Sequence, residues 1–583
     1  MADHKSEIRD HMHIDWDVPI TMDDGVVLRA DIFRPVNEGK YPAIMSYGPY
    51  GKGLAFQEGY KTAWEIMCRE NPDAVAGSTN QYQNWEVVDP EKWVPDGYAV
   101  VRVDSRGAGR SPGYLCHNDA RENQDFHDCI EWAAAQPWCS SKIGLNGISY
   151  YGANQWRAAA TQPPHLAAIC VWEGWVDNYR DSTHHGGIIC VFRKNWQEMQ
   201  VKTVQHGVGE HGTRSPLTGE LACGPETLSD AELVNNRENM WANLSAKNLD
   251  GPYYRERSGD LSTVKVPLLS AANWGGQGLH PRGNFEGYMH AASEHKWLEA
   301  HGGSHWAPFY TDYGVGLQKK FFDYFLKGKQ NGWDKQPKVQ LQIRHPGEKF
   351  VLRYENERPI ARTQWTNFHL DPSTLNLKAS KNNSIKTNTY DAMGNNSEGV
   401  TFTTPPLENE TEITGPSALK CFVSSSTSDA DLFVILRVFD AQDKEVLFQG
   451  ALDPKTPIAQ GWLRASHRKL DKMRSLPYRP YHTHDEKQPL TPGEIYELDI
   501  EIWPSCIVVP KGYRVALTIS GKDYDHGQSA ASLSNMKNPM SGCGPFMHDD
   551  PVDRPPEVFG GKVTLHFGAQ HPAAAVLPVI PAK

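Results

Sequence analysis

Short apolar runs alternate with longer amphipathic stretches through the first 330 residues. Residues 18–20 and 26–33 carry strand character on either side of Asp23-Asp24-Gly25, which predicts a hairpin. Residues 41–47, 97–104, 142–145, 166–172, 264–272 and 297–300 are short, nearly continuous apolar segments of the kind buried on both faces of a parallel sheet. Between two of them, Phe126, Cys129, Ile130 and Ala133 recur at helical spacing, so residues 122–136 predict a crossover helix. Another helix is predicted over 153–161, stopped by Pro163-Pro164, and an amphipathic one over 318–326. Strand, helix, strand in that order implies a parallel sheet with helices on its faces.

The pattern changes twice. From Asn178 to about Ser262 it turns to polar stretches of helical character containing Trp and Met, such as 192–201 and 230–246. Beyond Lys335 it turns to short Val/Ile/Leu/Phe/Tyr runs separated by Gly, Pro, Asn and Asp: 339–343, 419–424, 432–439, 495–503, 515–520 and 562–567. That spacing predicts an all-β sandwich or jelly roll. The expected organisation is a sheet domain over 1–177 and 263–335, a helical cap inserted at 178–262, and a β domain over 336–583. Residues 376–408, poor in apolar side chains, are expected to form a long surface excursion.

Composition narrows the class. A net charge of −11 over 583 residues, with no basic stripe, argues against nucleic acid or an anionic membrane as partner. The first twenty residues are polar and no eighteen apolar residues run together, so the expected compartment is the cytoplasm. The 10 cysteines stand singly without C-x-x-C pairs, which suggests reduced thiols rather than a disulfide framework or zinc knuckle. His184, His185, His280 and His301 invite comparison with a metal cluster. Without paired cysteines or H-E-x-x-H, surface or substrate-pocket roles are expected for them, with no metal and no cofactor. The partner is a small-molecule substrate, with a homo-oligomer possible.

The chemistry centres on Gly147-Ile148-Ser149-Tyr150-Tyr151-Gly152, where a buried strand turns at one serine into a helix. Such an elbow lifts a hydroxyl above the sheet and offers the next backbone N–H to an oxyanion. Ser149 is therefore the candidate nucleophile and the Tyr150 N–H a candidate donor, although the second glycine falls three positions after the serine rather than two. Gly48-Pro49-Tyr50-Gly51-Lys52 holds another hydroxyl at a strand's carboxyl end, where open α/β sheets place their chemistry. Asp104 and Arg106 are expected to brace their own loop by charge-assisted hydrogen bonds.

The ordered set Asp24-Gly25, Gly48-Pro49-Tyr50-Gly51-Lys52, Asp104-Ser105-Arg106-Gly107, Gln136-Pro137-Trp138, the Ser149 elbow, His305, Ser428-Asp429-Ala430-Asp431 and Gly461-Trp462-Leu463-Arg464 resembles one group over nearly the whole chain. That group comprises cocaine esterase, α-amino acid ester hydrolase and X-prolyl dipeptidyl peptidase, the CocE/NonD-type serine hydrolases. The resemblance implies an α/β-hydrolase domain with a helical cap and a C-terminal jelly roll. It also implies Ser149 as nucleophile, His305 as base, and an oxyanion hole of the Tyr150 N–H and the Tyr50 hydroxyl.

The chain departs from the family at the acid: where G-W-x-D is usual stands Asn273-Trp274-Gly275-Gly276. A carboxylate from a neighbouring strand end can take the role. Glu173, ending the preceding sheet strand, is the first choice, Glu286 the second and Asp177 the third. Trp172, Trp175, Trp274 and Trp306 flank these strand ends and are expected to wall the acyl pocket. The expected function is hydrolysis of a small or medium carboxylic ester. Amide, X-prolyl or acyl-transfer chemistry is the alternative, although Gly276, Gly278 and Leu279 occupy positions where relatives carry carboxylates for a substrate amine. A hydrolase-fold binding protein that has lost its acid is the reading from another class.

Overall fold

The computed structural model describes residues 4–381, 383–394, 398–528, 530–534, 536, 538 and 540–582. Its first unit is built on β1 (Lys5–Arg9), β2 (Met12–Thr21), β3 (Val27–Pro35), β4 (Tyr41–Gly48), β5 (Ala99–Asp104), β6 (Cys139–Ile148) and β7 (Leu166–Trp172). A two-residue hairpin, β8 (His184–His185) and β9 (Ile188–Ile189), stands apart, and β10 (Leu268–Asn273), β11 (Lys296–His301), β12 (Val339–His345) and β13 (Lys349–Glu355) complete the sheet. The spatial order is β1-β2-β3-β5-β4-β6-β7-β10-β11-β12-β13. From β5 to β12 every neighbouring pair is parallel, so the carboxyl ends of β4, β6, β7, β10 and β11 open on one rim.

Both faces are covered, which is why the central strands are apolar throughout rather than alternating. Met45, Ile143 and Leu145 pack with Phe126, Ile130 and Trp156 of helices Ala120–Ala134 and Tyr150–Ala160. Ile44 and Ile148 pack on the other face with Phe321, Phe322 and Leu326 of helix Asp312–Lys327. That last helix starts at Thr311, whose hydroxyl accepts the Gly314 N–H, and stops at Gly328 in the left-handed conformation, the combination expected of a well-marked helix.

The strand expected at 339–343 in the β domain belongs to this sheet instead, together with one not expected: β12 pairs parallel with β11, and β13 pairs antiparallel with β12. An alternating pattern such as Val339, Leu341, Ile343 states that a strand is half-buried but not which strand it pairs with. The sheet unit therefore runs to Glu355.

The expected cap between β7 and β10 consists of short pieces, among them Phe192–Trp196, Asp230–Asn235, Met240–Ala246 and Pro252–Glu256. The single helix anticipated over 230–246 is two. Asn235 and Asn236 end the first, and the Asn239 side chain accepts the Ala242 N–H to begin the second, in keeping with the preference of Asn for caps over helix interiors.

The second unit contains β14 (Gln364–Asp371), β15 (Asn376–Lys378), β16 (Lys386–Asp391), β17 (Val400–Thr403), β18 (Thr411–Ser425), β19 (Asp431–Phe439), β20 (Ala459–Arg464), β21 (Tyr496–Val509), β22 (Arg514–Ser520), β23 (Lys562–Phe567) and β24 (Ala574–Ile580). Their order is β16-β23-β18-β21-β20-β19-β22-β17-β15-β14-β24, and β24 also pairs with β18, so the sheet closes on itself. Residues 376–408, expected to be an excursion, supply three short strands of this sheet, while positions 382 and 395–397 lie outside the described residues. Strands of three to six residues carry too little apolar surface to stand out in composition.

The two units meet through buried polar contacts. Arg344 donates to the carbonyls of Cys506 (2.7 Å) and Ile458 (3.0 Å), and Arg282 to Glu501 at 3.0 Å. Among the described residues no helix is long and apolar enough to cross a membrane.

Candidate active site

Ser149 follows β6 directly and precedes helix Tyr150–Ala160. Its backbone (φ 58°, ψ −112°) lies outside the regions that L-residues favour, a strain that surrounding packing must hold. Its N–H donates to Trp172 O at 3.0 Å, and Ile148 N–H donates to Glu86 O at 3.0 Å, which ties the turn to its neighbours on both sides. Gly152 is required by space: a Cβ there would sit 2.6 Å from Trp172 O. No side chain caps this helix, and the Gly152 and Ala153 N–H groups donate to Ser149 O at 3.0 and 2.7 Å.

Glu173 directly follows β7 with φ 47° and is fully buried. Its Oε2 lies 2.7 Å from His305 Nδ1 and 3.9 Å from His280 Nδ1, while Oε1 lies 3.2 Å from both His301 Nε2 and Asn273 Nδ2. Burial alone would raise its pKa, but the charge of His305 and the hydrogen bonds from His301 and His305 hold it near 2. Glu173 is thus a permanent anion behind a pair of histidines. The other proposed acids are engaged elsewhere: Glu286 binds Arg479 through both oxygens at 2.7 Å, and Asp177 caps Tyr179 and pairs with Arg180 at 2.8 Å.

The histidine in contact with the serine is not the expected one. Ser149 Oγ lies 3.1 Å from His280 Nε2, whereas His305 Nε2 is 2.8 Å from Glu86 Oε1. The two rings stack with centroids 4.8 Å apart and planes 11° apart. Burial disfavours a charged His305, yet Glu173 and then Glu86 raise its pKa to about 10. Burial, reinforced by the neighbouring His305 charge, pushes His280 well below the usual range, so it is neutral. Glu86, with φ 65°, is raised by burial to about 7 despite His305. Its loop is held by Arg102, which donates from within β5 to Tyr82 O (2.6 Å) and Val88 O (2.8 Å).

Tyr50 is placed by Asp104, which accepts the Lys52 N–H at 2.6 Å and the Arg110 N–H at 2.9 Å; Arg106 pairs with Asp125 and Asp24. The Tyr50 hydroxyl accepts from Trp196 Nε1 at 3.0 Å, and burial keeps it protonated and able to donate. The Tyr150 side chain points away, donating to Glu122, so only its backbone is available to the site.

Tyr50, Ser149, His280, His305, Glu86, Trp85, Phe192, Trp196, Leu452 and Phe546 line one cavity, whose free space of about 20 Å³ suits a single water molecule. The four tryptophans expected to wall it are packed outside it. Trp172 stacks on His301 (4.9 Å), Trp175 backs His280 (6.0 Å), Trp274 donates to Gln342 O and Trp306 to Ala63 O. Proximity to a strand end in sequence does not say which way a side chain turns. The walls come instead from the 85–86 loop, the insertion and the second unit. Glu86 and Trp85 sit in a polar stretch without periodicity, and no sequence signal marks them.

Of the remaining histidines, His301 is held between Glu299 (2.7 Å) and Glu173 and is raised to about 9, while His184 stacks on Tyr179. His185 Nδ1 meets His548 Nε2 at 2.7 Å, and His548 Nδ1 meets Asp523 at 2.8 Å, so His548 ties the insertion to the second unit. Cys190 lies beside this pair, and the three donor atoms are mutually within 4.8 Å, as are those of Glu173, His280 and His305. These two buried groups are the places among the described residues where a metal could be held.

Residues 24–307 match the X-Pro dipeptidyl-peptidase (S15 family), and residues 331–573 match the X-Pro dipeptidyl-peptidase C-terminal non-catalytic domain. The cocaine esterase of a Rhodococcus species is 24% identical over 97% of this chain and 98% of its own. A Xaa-Pro dipeptidyl-peptidase, so named putatively, from Bacillus anthracis is 22% identical over 85% of this chain and 80% of its own. The crystal structure of a CocE/NonD family hydrolase from Staphylococcus aureus superposes with a TM-score of 0.84 at 30% identity, covering 100% of this chain and 97% of that one. A strained serine between a buried strand and a helix, on a sheet and closed β unit shared end to end with that hydrolase, places this chain in the CocE/NonD family of serine hydrolases.

Proposed function

We propose that the protein hydrolyses carboxylic esters through an acyl-enzyme on Ser149, on an α/β-hydrolase core with 178–262 as its cap and a jelly roll as its second unit. The observation that carries this is Ser149 itself: a hydroxyl lifted by a left-handed backbone into a cavity, in hydrogen-bond contact with an imidazole and backed by the Glu173 anion. A hydroxyl attacks a carbonyl only when a base takes its proton, and the base works best with a carboxylate behind it. The Tyr150 N–H and the Tyr50 hydroxyl supply donors for the oxyanion. His305 belongs to the same constellation through Glu173.

A cavity this small disfavours a long acyl group, since each added methylene must displace Phe192, Leu452 or Phe546. A series of p-nitrophenyl esters is expected to show kcat/KM falling from acetate to longer chains. Ser149→Ala should abolish turnover of all of them, and activity within about tenfold of wild type would remove the assignment.

One observation supports a second reading, cleavage next to a substrate amine. Glu86 Oε2 is buried without a hydrogen-bond partner and faces the cavity wall, where an ammonium would be welcome. Comparing an α-amino ester with its N-acetyl counterpart separates the two: preference for the free amine supports the second reading.

A further inference from the structure

We infer that His280, rather than the late histidine His305, is the base that moves the proton of Ser149; this rests on the acyl-enzyme reading above. The decisive point is the count of nitrogen lone pairs. His305 has a carboxylate oxygen at hydrogen-bond distance from each ring nitrogen, Glu173 at 2.7 Å and Glu86 at 2.8 Å. With both carboxyls ionised each can only accept, so both His305 nitrogens donate and neither can take a proton, which holds above the range near pH 7 in which Glu86 titrates. His280 faces Ser149 Oγ at 3.1 Å through Nε2, and its Nδ1 is buried with no hydrogen-bond partner. The tautomer that accepts from the serine therefore carries its hydrogen on Nδ1, aimed toward Glu173 Oε2 at 3.9 Å.

The distance of 3.9 Å has a consequence for catalysis. In the resting site Glu173 Oε2 is held by His305, and the His280 N–H is left unpaired. Once His280 becomes an imidazolium, its attraction to Glu173 increases, so the interaction strengthens where it lowers the barrier rather than in the ground state. The position also favours a neutral resting ring, because His280 stands at the amino end of helix Pro281–His290, which repels a cation.

The steps balance as follows. As Ser149 Oγ bonds the acyl carbon, its proton passes to His280 Nε2 and the carbonyl π pair moves onto the oxygen. The C–O bond to the leaving group then breaks, the leaving oxygen takes the proton from His280, and the alcohol departs. Water repeats the cycle: its proton goes to His280, its oxygen bonds the acyl carbon, and the proton returns to Ser149 Oγ as the acid is released. His305 acts through Glu173 and is a positioning residue, fixing the oxygen toward which His280 turns.

The test compares His280→Ala and His305→Ala on p-nitrophenyl acetate, with and without added imidazole, alongside labelling of Ser149 by a fluorophosphonate. His280→Ala should lose about 10³-fold or more in kcat, and added imidazole should restore part of it by entering the vacated space. His305→Ala should lose less, gain nothing from imidazole, and change the alkaline side of its pH–rate profile, which a purely structural defect would leave alone. His280→Gln, close in size to the ring, serves if the alanine variant does not fold, and the same loss is expected. A His280 variant within about tenfold of wild type, in protein whose Ser149 is labelled, overturns the choice of base while leaving the acyl-enzyme reading intact. Unlabelled Ser149 together with a fully active Ser149→Ala overturns both.

Discussion

At Ser149, Glu173 and Glu86 the backbone occupies the left-handed region, with φ of 58°, 47° and 65°, and each residue presents its side chain to one cavity or to the histidines behind it. Such conformations cost on the order of 1–3 kcal/mol each and persist only where packing compels them, so their convergence marks the site independently of residue type. Two consequences can be measured. Tyr50→Phe removes the proposed oxyanion donor and is expected to lower kcat by about 10²-fold with little change in KM; a change confined to KM would make Tyr50 a substrate contact. Glu173→Gln should lower kcat by at least about 10²-fold, because it removes the anion serving both rings, whereas Glu286→Gln, whose carboxylate is spent on Arg479, should change kcat far less. The reverse ranking would contradict the placement of the acid. The strand ends beside which Ser149, Tyr50 and Glu173 stand were legible in the sequence, because buried apolar runs locate them. Glu86 was not, since it stands in an aperiodic loop held by Arg102. Nor was the contact between His280 and Ser149, since it depends on the path of the loop after Asn273.

The elbow works as an element because three backbones approach one another closely around it. Gly152 lets the helix Tyr150–Ala160 start against the end of β7, where an added Cβ would stand 2.6 Å from Trp172 O. Trp172 O is also the acceptor for the Ser149 N–H, so displacing it disturbs both Ser149 and the start of Glu173. Gly152→Ala is therefore expected to destabilise the fold by about 1–3 kcal/mol and to lower activity more than that loss alone predicts, measured by thermal unfolding and by kcat on the folded fraction. Unchanged activity per folded molecule would show that the elbow tolerates the shift. The insertion shows where reading elements from sequence ends. Its apolar residues serve contacts with two different units, so no single helical face forms, and its helices are short pieces capped by Asn and Ser rather than the longer runs expected.

Across the whole molecule, the cavity is closed by parts that lie far apart in sequence: Glu86 from a loop before β5, Trp196 from the insertion, and Leu452 from the second unit, whose Ala451 accepts the His305 N–H and donates to Gly275 O. Stability should therefore depend on the charges buried there. His305 is raised from 6.5 to about 10, so its stabilisation is complete below about pH 6.5 and is lost as pH rises toward 10. Glu173 is lowered from 4.5 to about 2 and acts at the opposite end, its stabilisation present above pH 4.5 and lost as pH falls toward 2. The thermal midpoint is expected to decline between pH 6.5 and 10, and His305→Gln, less stable throughout, should decline less steeply; parallel curves would contradict the buried cation. The two-unit plan was visible in the change from helix-spaced to strand-spaced patterning near residue 336, but the boundary was not, because β12 and β13 carry the same alternation whichever sheet receives them. The central claim is that Ser149 carries the acyl group, and the most direct measurement is peptide mass spectrometry after brief exposure of the enzyme to p-nitrophenyl acetate and acid quenching. An added acetyl mass on the peptide containing Ser149, absent in Ser149→Ala, is the expected result, and burst release of p-nitrophenol with Ser149 unmodified would contradict it.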